Sequence, residues 1–161
     1  MEQQNTWIYA LDNDFYLEAS LFSLEALESQ QCVLVTKQSI VSGNYLSRHK
    51  SDQRSVYDAV LKQALAHQAF DALMFDKQLN LLEGARSNVF LKINGQWHTP
   101  TAKLPILNGV MRQEILAQPM HYLGVDHVVE GRLHYEEVMQ ADEIVLTNAL
   151  RGVLPVNRLI I

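Results

Sequence analysis

The chain has 161 residues, of which 48% are apolar and 19% are charged, and its formal net charge is −5. This profile is typical of a globular domain with one core, and the acidic balance argues against broad nucleic-acid binding. The single cysteine, Cys32, excludes a disulfide framework and a four-cysteine zinc site. No apolar run approaches the ~20 residues that span a bilayer, and the N-terminus does not read as a signal peptide. We therefore expect a soluble, cytoplasmic protein with no nucleic-acid or membrane partner.

The first third of the chain predicts a hairpin, a buried strand, a loop and a helix. Two short apolar runs, Trp7–Leu11 and Phe15–Phe22, flank turn residues and predict the hairpin. Cys32–Val35 is a candidate buried strand, and the polar stretch Ser39–Gln53 predicts a loop. Apolar residues at helical spacing predict a helix over Ser55–Gln68.

The rest of the chain is rich in predicted strands. Asn94–Gly95 is the strongest short hairpin signal, and it separates two of them. A helix is expected after Gly109. The remaining predicted strands are Ala72–Phe75, Leu79–Glu83, Asn88–Ile93, Gln96–Pro100, Val125–Glu130 and Glu143–Thr147, with a short helix over Tyr135–Met139. Hairpins mixed with a few helices indicate an α+β fold rather than a strict βαβ alternation.

Residue patterns alone single out few candidates for chemistry. Lys50 lies in a polar run that would ordinarily be a solvated basic loop, and Glu83 ends an apolar strand, where a surface position is usual. Backbone N–H groups after Gly109 could bind a phosphate, although most helix N-termini bind nothing. The six histidines lack the spacing of a metal site, so no metal is expected.

Four segments in series resemble the motifs of the class IV pyridoxal-phosphate enzymes. They are Arg48–Asp58, which contains the lysine, the E-G-x-x-x-N strand Leu82–Phe90, the turn into a helix Thr99–Arg112, and the closing strand and loop Ala141–Val156. Their order and spacing match the family over roughly residues 46 to 156. The resemblance implies a D-amino acid aminotransferase-like fold, mostly its larger C-terminal domain, with a mixed sheet or barrel-like β core and a few helices.

The same resemblance implies a cofactor, pyridoxal 5'-phosphate, and assigns roles around it. Lys50 would carry the cofactor as a Schiff base and then move protons at the substrate carbon. Glu83 would pair with the pyridine nitrogen and keep it protonated, which makes the ring an electron sink. The amides of Val110 and Met111 would bind the phosphate at a helix N-terminus. Asn148–Ala149 would supply a second contact on the phosphate side.

Within the class, Asn108 and the loop Thr147–Gly152 most resemble aminodeoxychorismate lyase. The expected reaction converts a small-molecule substrate, 4-amino-4-deoxychorismate, to 4-aminobenzoate and pyruvate, a step in folate synthesis. Two alternatives stay open: a class IV aminotransferase for a branched-chain or D-amino acid, and a non-catalytic remnant of the family. The resemblance also implies a homodimer. We expect residues 1–45 to be a remnant of the family's small domain with its linker, and residues 46–161 to be the cofactor-binding domain.

Overall fold

The computed structural model of the protein describes residues 6–12, 15–20, 32–39 and 54–161. The predicted lysine site, Lys50, and residues 40–53 of the predicted loop lie outside the described residues. The strands are β1 (Thr6–Asp12), β2 (Phe15–Ser20), β3 (Cys32–Ser39), β4 (Asp71–Phe75), β5 (Leu81–Gly84), β6 (Asn88–Ile93), β7 (Gln96–Pro100), β8 (Val129–Gly131), β9 (Glu143–Asn148), β10 (Gly152–Val156) and β11 (Arg158–Ile160). The helices are α1 (Ser55–Ala66), α2 (Val110–Ala117), α3 (Pro119–Leu123) and α4 (Tyr135–Gln140).

The described strands form three sheets. β1 and β2 make a two-stranded antiparallel hairpin. A five-stranded sheet has the order β10-β9-β6-β7-β8, and a four-stranded sheet has the order β11-β3-β4-β5. Both larger sheets mix parallel and antiparallel pairs. The prediction of a mixed sheet is therefore confirmed, and the described strands do not close into a barrel.

The main core lies between the two larger sheets. It joins apolar side chains of β3, β4 and β5 to those of β6 and β9, and Phe75 and Leu146 are fully buried in it. On the outer face of the four-stranded sheet, Val60 and Ala64 of α1 pack against Leu34 and Ala72. On the outer face of the five-stranded sheet, α2 and α3 cover the cluster around Phe90. The result is a layered α+β domain.

Most predicted elements are confirmed, but the sequence did not predict β10 and β11, and further differences exist. β3 extends to Ser39, the first residue of the loop that the sequence predicts. The strand predicted over Val125–Glu130 is confined to Val129–Gly131. The short helix α3, which has Pro119 in its first turn, where proline is accepted, is not among the predicted elements. β3 and β4 pair in parallel and are connected through α1, so the predicted α+β fold contains a βαβ unit.

The position of β3 bears on the expected domain boundary. Its residues Val33–Val35 pair with Asp71–Leu73 of β4, and Cys32–Leu34 pair with β11 at the end of the chain. β3 thus belongs to the four-stranded sheet, although it precedes residue 46. We therefore propose that the cofactor-binding domain starts before Cys32 rather than at residue 46. None of the helices in the described residues is long and apolar enough to cross a membrane.

Candidate active site

Glu83 lies in β5 and is almost completely buried, with 4% of its surface exposed. Both oxygens of its carboxylate accept hydrogen bonds. The Tyr57 hydroxyl donates to Oε1 at 2.9 Å, and the Leu107 backbone N–H donates to Oε2 at 3.0 Å. The usual expectation of a surface carboxylate at a strand end is therefore wrong for this residue. A carboxylate is retained in a buried place when its oxygens are satisfied in this way.

Burial raises the pKa of the Glu83 carboxyl from its ordinary value of 4.5 to about 7. The hydrogen bonds from Tyr57 and Leu107 and the positive charge of Arg54 lower this pKa, whereas the negative charge of Asp71 raises it. Without a further cation, the group titrates near neutral pH. A protonated ring nitrogen placed beside it would favour the ionised form.

Asn88 joins Glu83 to the segment that precedes α2. Its Nδ2 donates to the Leu107 carbonyl oxygen at 2.7 Å and lies 3.5 Å from Glu83 Oε2. Its Oδ1 occupies the space beside Gly109, because a Cβ on Gly109 would lie 2.5 Å from that oxygen. Two of the predicted motifs, the E-G-x-x-x-N strand and the N-G-V turn, are thus in direct contact. We call Tyr57, Glu83, Asn88 and Leu107 the Glu83 network.

The N-terminus of α2 starts at this point. Gly109 is the N-cap residue, with extended backbone angles (φ −63°, ψ 151°) and no side-chain cap, so Val110 and Met111 occupy the first two helical positions. N–H groups at these positions have no acceptor within the helix and lie at the positive end of the helix dipole. The Val110 side chain is 73% exposed, whereas Met111 packs against the Phe90 cluster. These amides are suited to an anion such as a phosphate.

A buried arginine holds the start of α2 in place. Arg112 is 1% exposed, and its guanidinium donates to Asn108 Oδ1 at 2.7 Å and to the Pro100 carbonyl oxygen at 2.8 Å. It also forms an ion pair with Glu130 at 2.6 Å. Asn108, which resembles the lyase motif in sequence, therefore has a structural partner within α2. The contacts tie the helix to the five-stranded sheet.

The loop after β9 approaches the same region. Thr147 lies directly opposite Asn88 in the register of β6 and β9, so the two side chains share one face of the sheet. Asn148 donates through Nδ2 to the Arg86 carbonyl oxygen at 3.2 Å, and its Oδ1 accepts the N–H groups of Leu150 and Arg151 at 3.1 and 2.9 Å. The carboxamide of Asn148 is thus occupied in shaping the loop. Ala149 is exposed, and the contribution of this loop to a ligand would come from its main chain.

We call the amides of Val110, Met111 and Ala149 the amide end of the site. Glu83, the segment that leads into α2 and Thr147 adjoin Asn88 in the structure. Lys50 lies outside the described residues. Two residues that the predictions did not assign also belong here: Tyr57, which lies within the lysine motif, and Thr147.

These groups fit a molecule with a basic nitrogen at one end and a phosphate at the other. The Thr147 hydroxyl oxygen, fully buried, has no hydrogen-bond partner among the described residues, as expected of a group beside a ligand site. Gly109 keeps the approach to α2 free of a Cβ. The buried carboxylate, the orphan hydroxyl and the helix N-terminus together form the donor and acceptor set that a phosphorylated pyridine requires.

The chain belongs to the class IV aminotransferase family, whose model matches residues 8–159. The cofactor of this family is pyridoxal 5'-phosphate, so the expectation of that cofactor is confirmed. The recognised family and fold are confirmed as well.

Relatives with two kinds of activity resemble the chain. It is 32% identical over 103 residues to the "Probable branched-chain-amino-acid aminotransferase" of Thermotoga maritima, covering 63% of this chain and 37% of that one. It is 27% identical over 107 residues to the "Putative aminodeoxychorismate lyase" of Schizosaccharomyces pombe, covering 65% of this chain and 45% of that one. A crystal structure of a "Putative 4-amino-4-deoxychorismate lyase" from Legionella pneumophila superposes with a TM-score of 0.74 and 25% identity, over 89% of this chain and 53% of that chain. The chain thus spans less than half the length of these two curated relatives.

Proposed function

We propose that the chain carries the active site of a pyridoxal-phosphate-dependent lyase that converts 4-amino-4-deoxychorismate to 4-aminobenzoate and pyruvate. The observation that carries the proposal is the Glu83 network, a buried carboxylate hydrogen-bonded to the segment that leads into α2. The choice of the lyase rests on Asn108 and the Thr147–Gly152 loop and on the relatives from Schizosaccharomyces pombe and Legionella pneumophila.

Each residue of the site has a proposed role. When bound, the cofactor supplies an electron sink for the carbon that loses a proton. Glu83 holds a proton on the ring nitrogen, which it can do because its carboxylate is buried and fixed by two donors. Val110 and Met111 hold the phosphate through their main-chain N–H groups, with Asn148–Ala149 as the second phosphate-side contact.

Lys50 is the proposed acid and base. It takes the proton from the ring carbon of the substrate and delivers a proton to the departing enolpyruvyl group, which leaves as pyruvate. The bond between the neighbouring ring carbon and the ether oxygen breaks, and the electron pair of the C–H bond forms a new double bond between these two carbons, so that the ring becomes aromatic. No oxidant or reductant is consumed, so the enzyme has to position the substrate and relay protons.

The reaction is tested by supplying the chain with pyridoxal phosphate and 4-amino-4-deoxychorismate and measuring pyruvate with a coupled lactate dehydrogenase assay. We expect pyruvate and 4-aminobenzoate in equal amounts. The alternative is an aminotransferase, favoured by the similarity to the Thermotoga maritima protein. It would instead convert 2-oxoglutarate to glutamate when a branched-chain or D-amino acid is added. A chain that binds no cofactor, with no visible absorbance band, would be a non-catalytic member of the family.

The assignment of Lys50 is tested by borohydride reduction of the cofactor-loaded chain, followed by peptide mapping. We expect the pyridoxyl group on the peptide that contains Lys50, because no other lysine lies in the Arg48–Asp58 segment that resembles the family's lysine motif. The matched control is Lys62, an exposed lysine of α1. Substitution Lys50→Ala should abolish the labelling and Lys62→Ala should leave it unchanged. Labelling of Lys62 would contradict the assignment.

A further inference from the structure

Tyr57 lies in the first turn of α1 and contacts Glu83 of β5. Its hydroxyl donates to Glu83 Oε1 at 2.9 Å, whereas the Leu107 N–H donates to the other oxygen. The start of α1 is itself fixed on the turn after β5, because Arg54 Nη2 donates to the Ala85 carbonyl oxygen at 2.9 Å. The Arg54 guanidinium carbon also lies 5.5 Å from the centre of the Tyr57 ring. The position of the Tyr57 side chain is therefore fixed by Arg54 at the start of α1.

Tyr57 is a constant hydrogen-bond donor. Burial, together with the negative charge of Glu83 and its hydrogen bond, raises the pKa of the Tyr57 hydroxyl above its ordinary value of 10. The hydroxyl therefore keeps its proton throughout the neutral range. A neutral O–H that donates to a carboxylate stabilises the ionised form of that carboxylate.

We propose that Tyr57 is a positioning residue of this site, whose hydroxyl orients the Glu83 carboxylate and keeps it ionised so that it can pair with a protonated ring nitrogen. This inference rests on the proposed cofactor chemistry of the site and assigns Tyr57 a role that acts through Glu83. Tyr57 itself has no role at the substrate carbon. Its position in the Arg48–Asp58 motif places it seven residues after Lys50.

The groups that act on Glu83 from the surrounding elements can be separated by substitution. Arg54 at the start of α1 favours the ionised carboxylate, and Asp71 in β4 opposes it. Tyr57→Phe removes the hydroxyl and leaves both of these charges and the Leu107 amide in place. The change in the ionisation of Glu83 then reports the hydrogen bond from Tyr57.

The test is a pH titration of the full chain without cofactor, labelled with 13C at the glutamate carboxyl carbons and followed by NMR. The Glu83 signal is identified by its absence in Glu83→Gln. We expect Tyr57→Phe to raise the midpoint of this titration by roughly one to two pH units, the usual worth of a hydrogen bond to a charged group. The matched control is Tyr122→Phe in α3, on the outer face of the five-stranded sheet, which should leave the midpoint unchanged.

A second substitution keeps the shape of the side chain and changes the strength of the donor. With 3-fluorotyrosine at position 57, the hydroxyl is a stronger donor, so we expect the Glu83 midpoint to move downward, opposite to Tyr57→Phe. Loosened packing would not produce shifts of opposite sign. An unchanged midpoint in both proteins would overturn the inference, whatever reaction the chain catalyses. Opposite shifts in a chain that forms no pyruvate would uphold the inference and refute the proposed lyase.

Discussion

Glu83 is held by a half-buried side chain, Tyr57, and by one main-chain amide, that of Leu107, whereas at the amide end all the candidate donors are main-chain N–H groups. Glu83 and Asn88 are 4% and 6% exposed, but Val110 is 73% exposed and Ala149 is exposed as well. A hydrogen bond between buried side chains depends on the identity of both residues, because an unpaired partner is left without water. Binding of an anion by a main-chain N–H at a helix N-terminus depends on the backbone geometry and accepts almost any side chain at that position. The two ends should therefore respond to mutation in different ways.

The largest effect is expected at the buried end. Glu83→Gln keeps the shape of the side chain but removes the negative charge that holds the proton on the ring nitrogen. We expect the turnover number to fall roughly 10²–10³-fold, the usual loss when one fixed electrostatic group is removed from an active site. Pyruvate release measures it. Glu143→Gln, which alters an exposed ion pair with Lys92, should change turnover less than twofold, and equal losses in both variants would contradict the role of Glu83.

The same carboxyl should make the stability of the cofactor-free chain depend on pH. The pKa of Glu83 is about 7 in the folded protein and about 4.5 in the unfolded chain, so the folded protein binds the proton more tightly. Its contribution to the free energy of unfolding is complete below about pH 4.5 and is lost as the pH rises through about 7. The pKa difference corresponds to about 3 kcal/mol.

This dependence is isolated by comparison with Glu83→Gln, in which Asp71 and the other titrating groups are retained. The free energy of unfolding of both proteins is measured with urea at about pH 4.5 and about pH 8. Between these two values the unsubstituted chain should lose up to about 3 kcal/mol of stability relative to Glu83→Gln. A difference that is the same at both values would mean that Glu83 is not buried as described.

Gly109→Ala should disturb the junction between the two ends. The new Cβ would lie 2.5 Å from Asn88 Oδ1, so Asn88 has to move away from Leu107. We expect a loss of about 1–3 kcal/mol in the free energy of unfolding, as for other overpacked sites, together with weaker binding of pyridoxal phosphate. Gly131→Ala is the matched control, because no atom lies within 4 Å of its Cβ position. A Gly109→Ala protein with unchanged stability and normal cofactor affinity would contradict the proposed importance of the close approach between Gly109 and Asn88.

The smallest effect is expected at Val110, where side chain and main chain can be separated. Proline is accepted at the first position of a helix, and the extended backbone of Gly109 (φ −63°, ψ 151°) suits the residue before a proline. Val110→Pro should therefore keep α2 and remove one N–H donor, and we expect about a tenfold loss in affinity for pyridoxal phosphate. Val110→Ala keeps the donor and should bind normally. The reverse pattern in a fluorescence titration would show that the side chain makes the contact.

The sequence predicted the elements better than the contacts between them. β6 was predicted over the residues that it occupies, because its apolar pattern ends at the turn Asn94–Gly95. The burial of Glu83 was not predictable from strand alternation, since all four residues of β5 are buried and neither face is marked by polarity. The contact between Tyr57 and Glu83 spans 26 positions, and local patterns carry no information at that separation.

The site residues show the same limit. The resemblance pointed to Lys50, Glu83, Val110, Met111 and Asn148–Ala149. The structure shows Glu83 buried beside Asn88, and Val110 and Met111 in the first turn of α2, whereas Lys50 lies outside the described residues. The resemblance could not reveal that the Asn148 carboxamide is used by its own loop, because both acceptor contacts are with main-chain N–H groups of Leu150 and Arg151. The position of the Thr147 hydroxyl, which has no hydrogen-bond partner in the part of the chain that the structure describes, likewise depends on the pairing of β9 with β6.

The protonation state of the ring nitrogen tests the central claim most directly, namely that Glu83 faces this atom and controls its proton. Pyridoxal phosphate labelled with 15N in the ring is bound to the chain and to Glu83→Gln, and the 15N chemical shift is recorded at neutral pH. We predict the shift of a protonated pyridine in the unsubstituted chain and that of a neutral pyridine in Glu83→Gln. The same shift in both proteins would contradict the account.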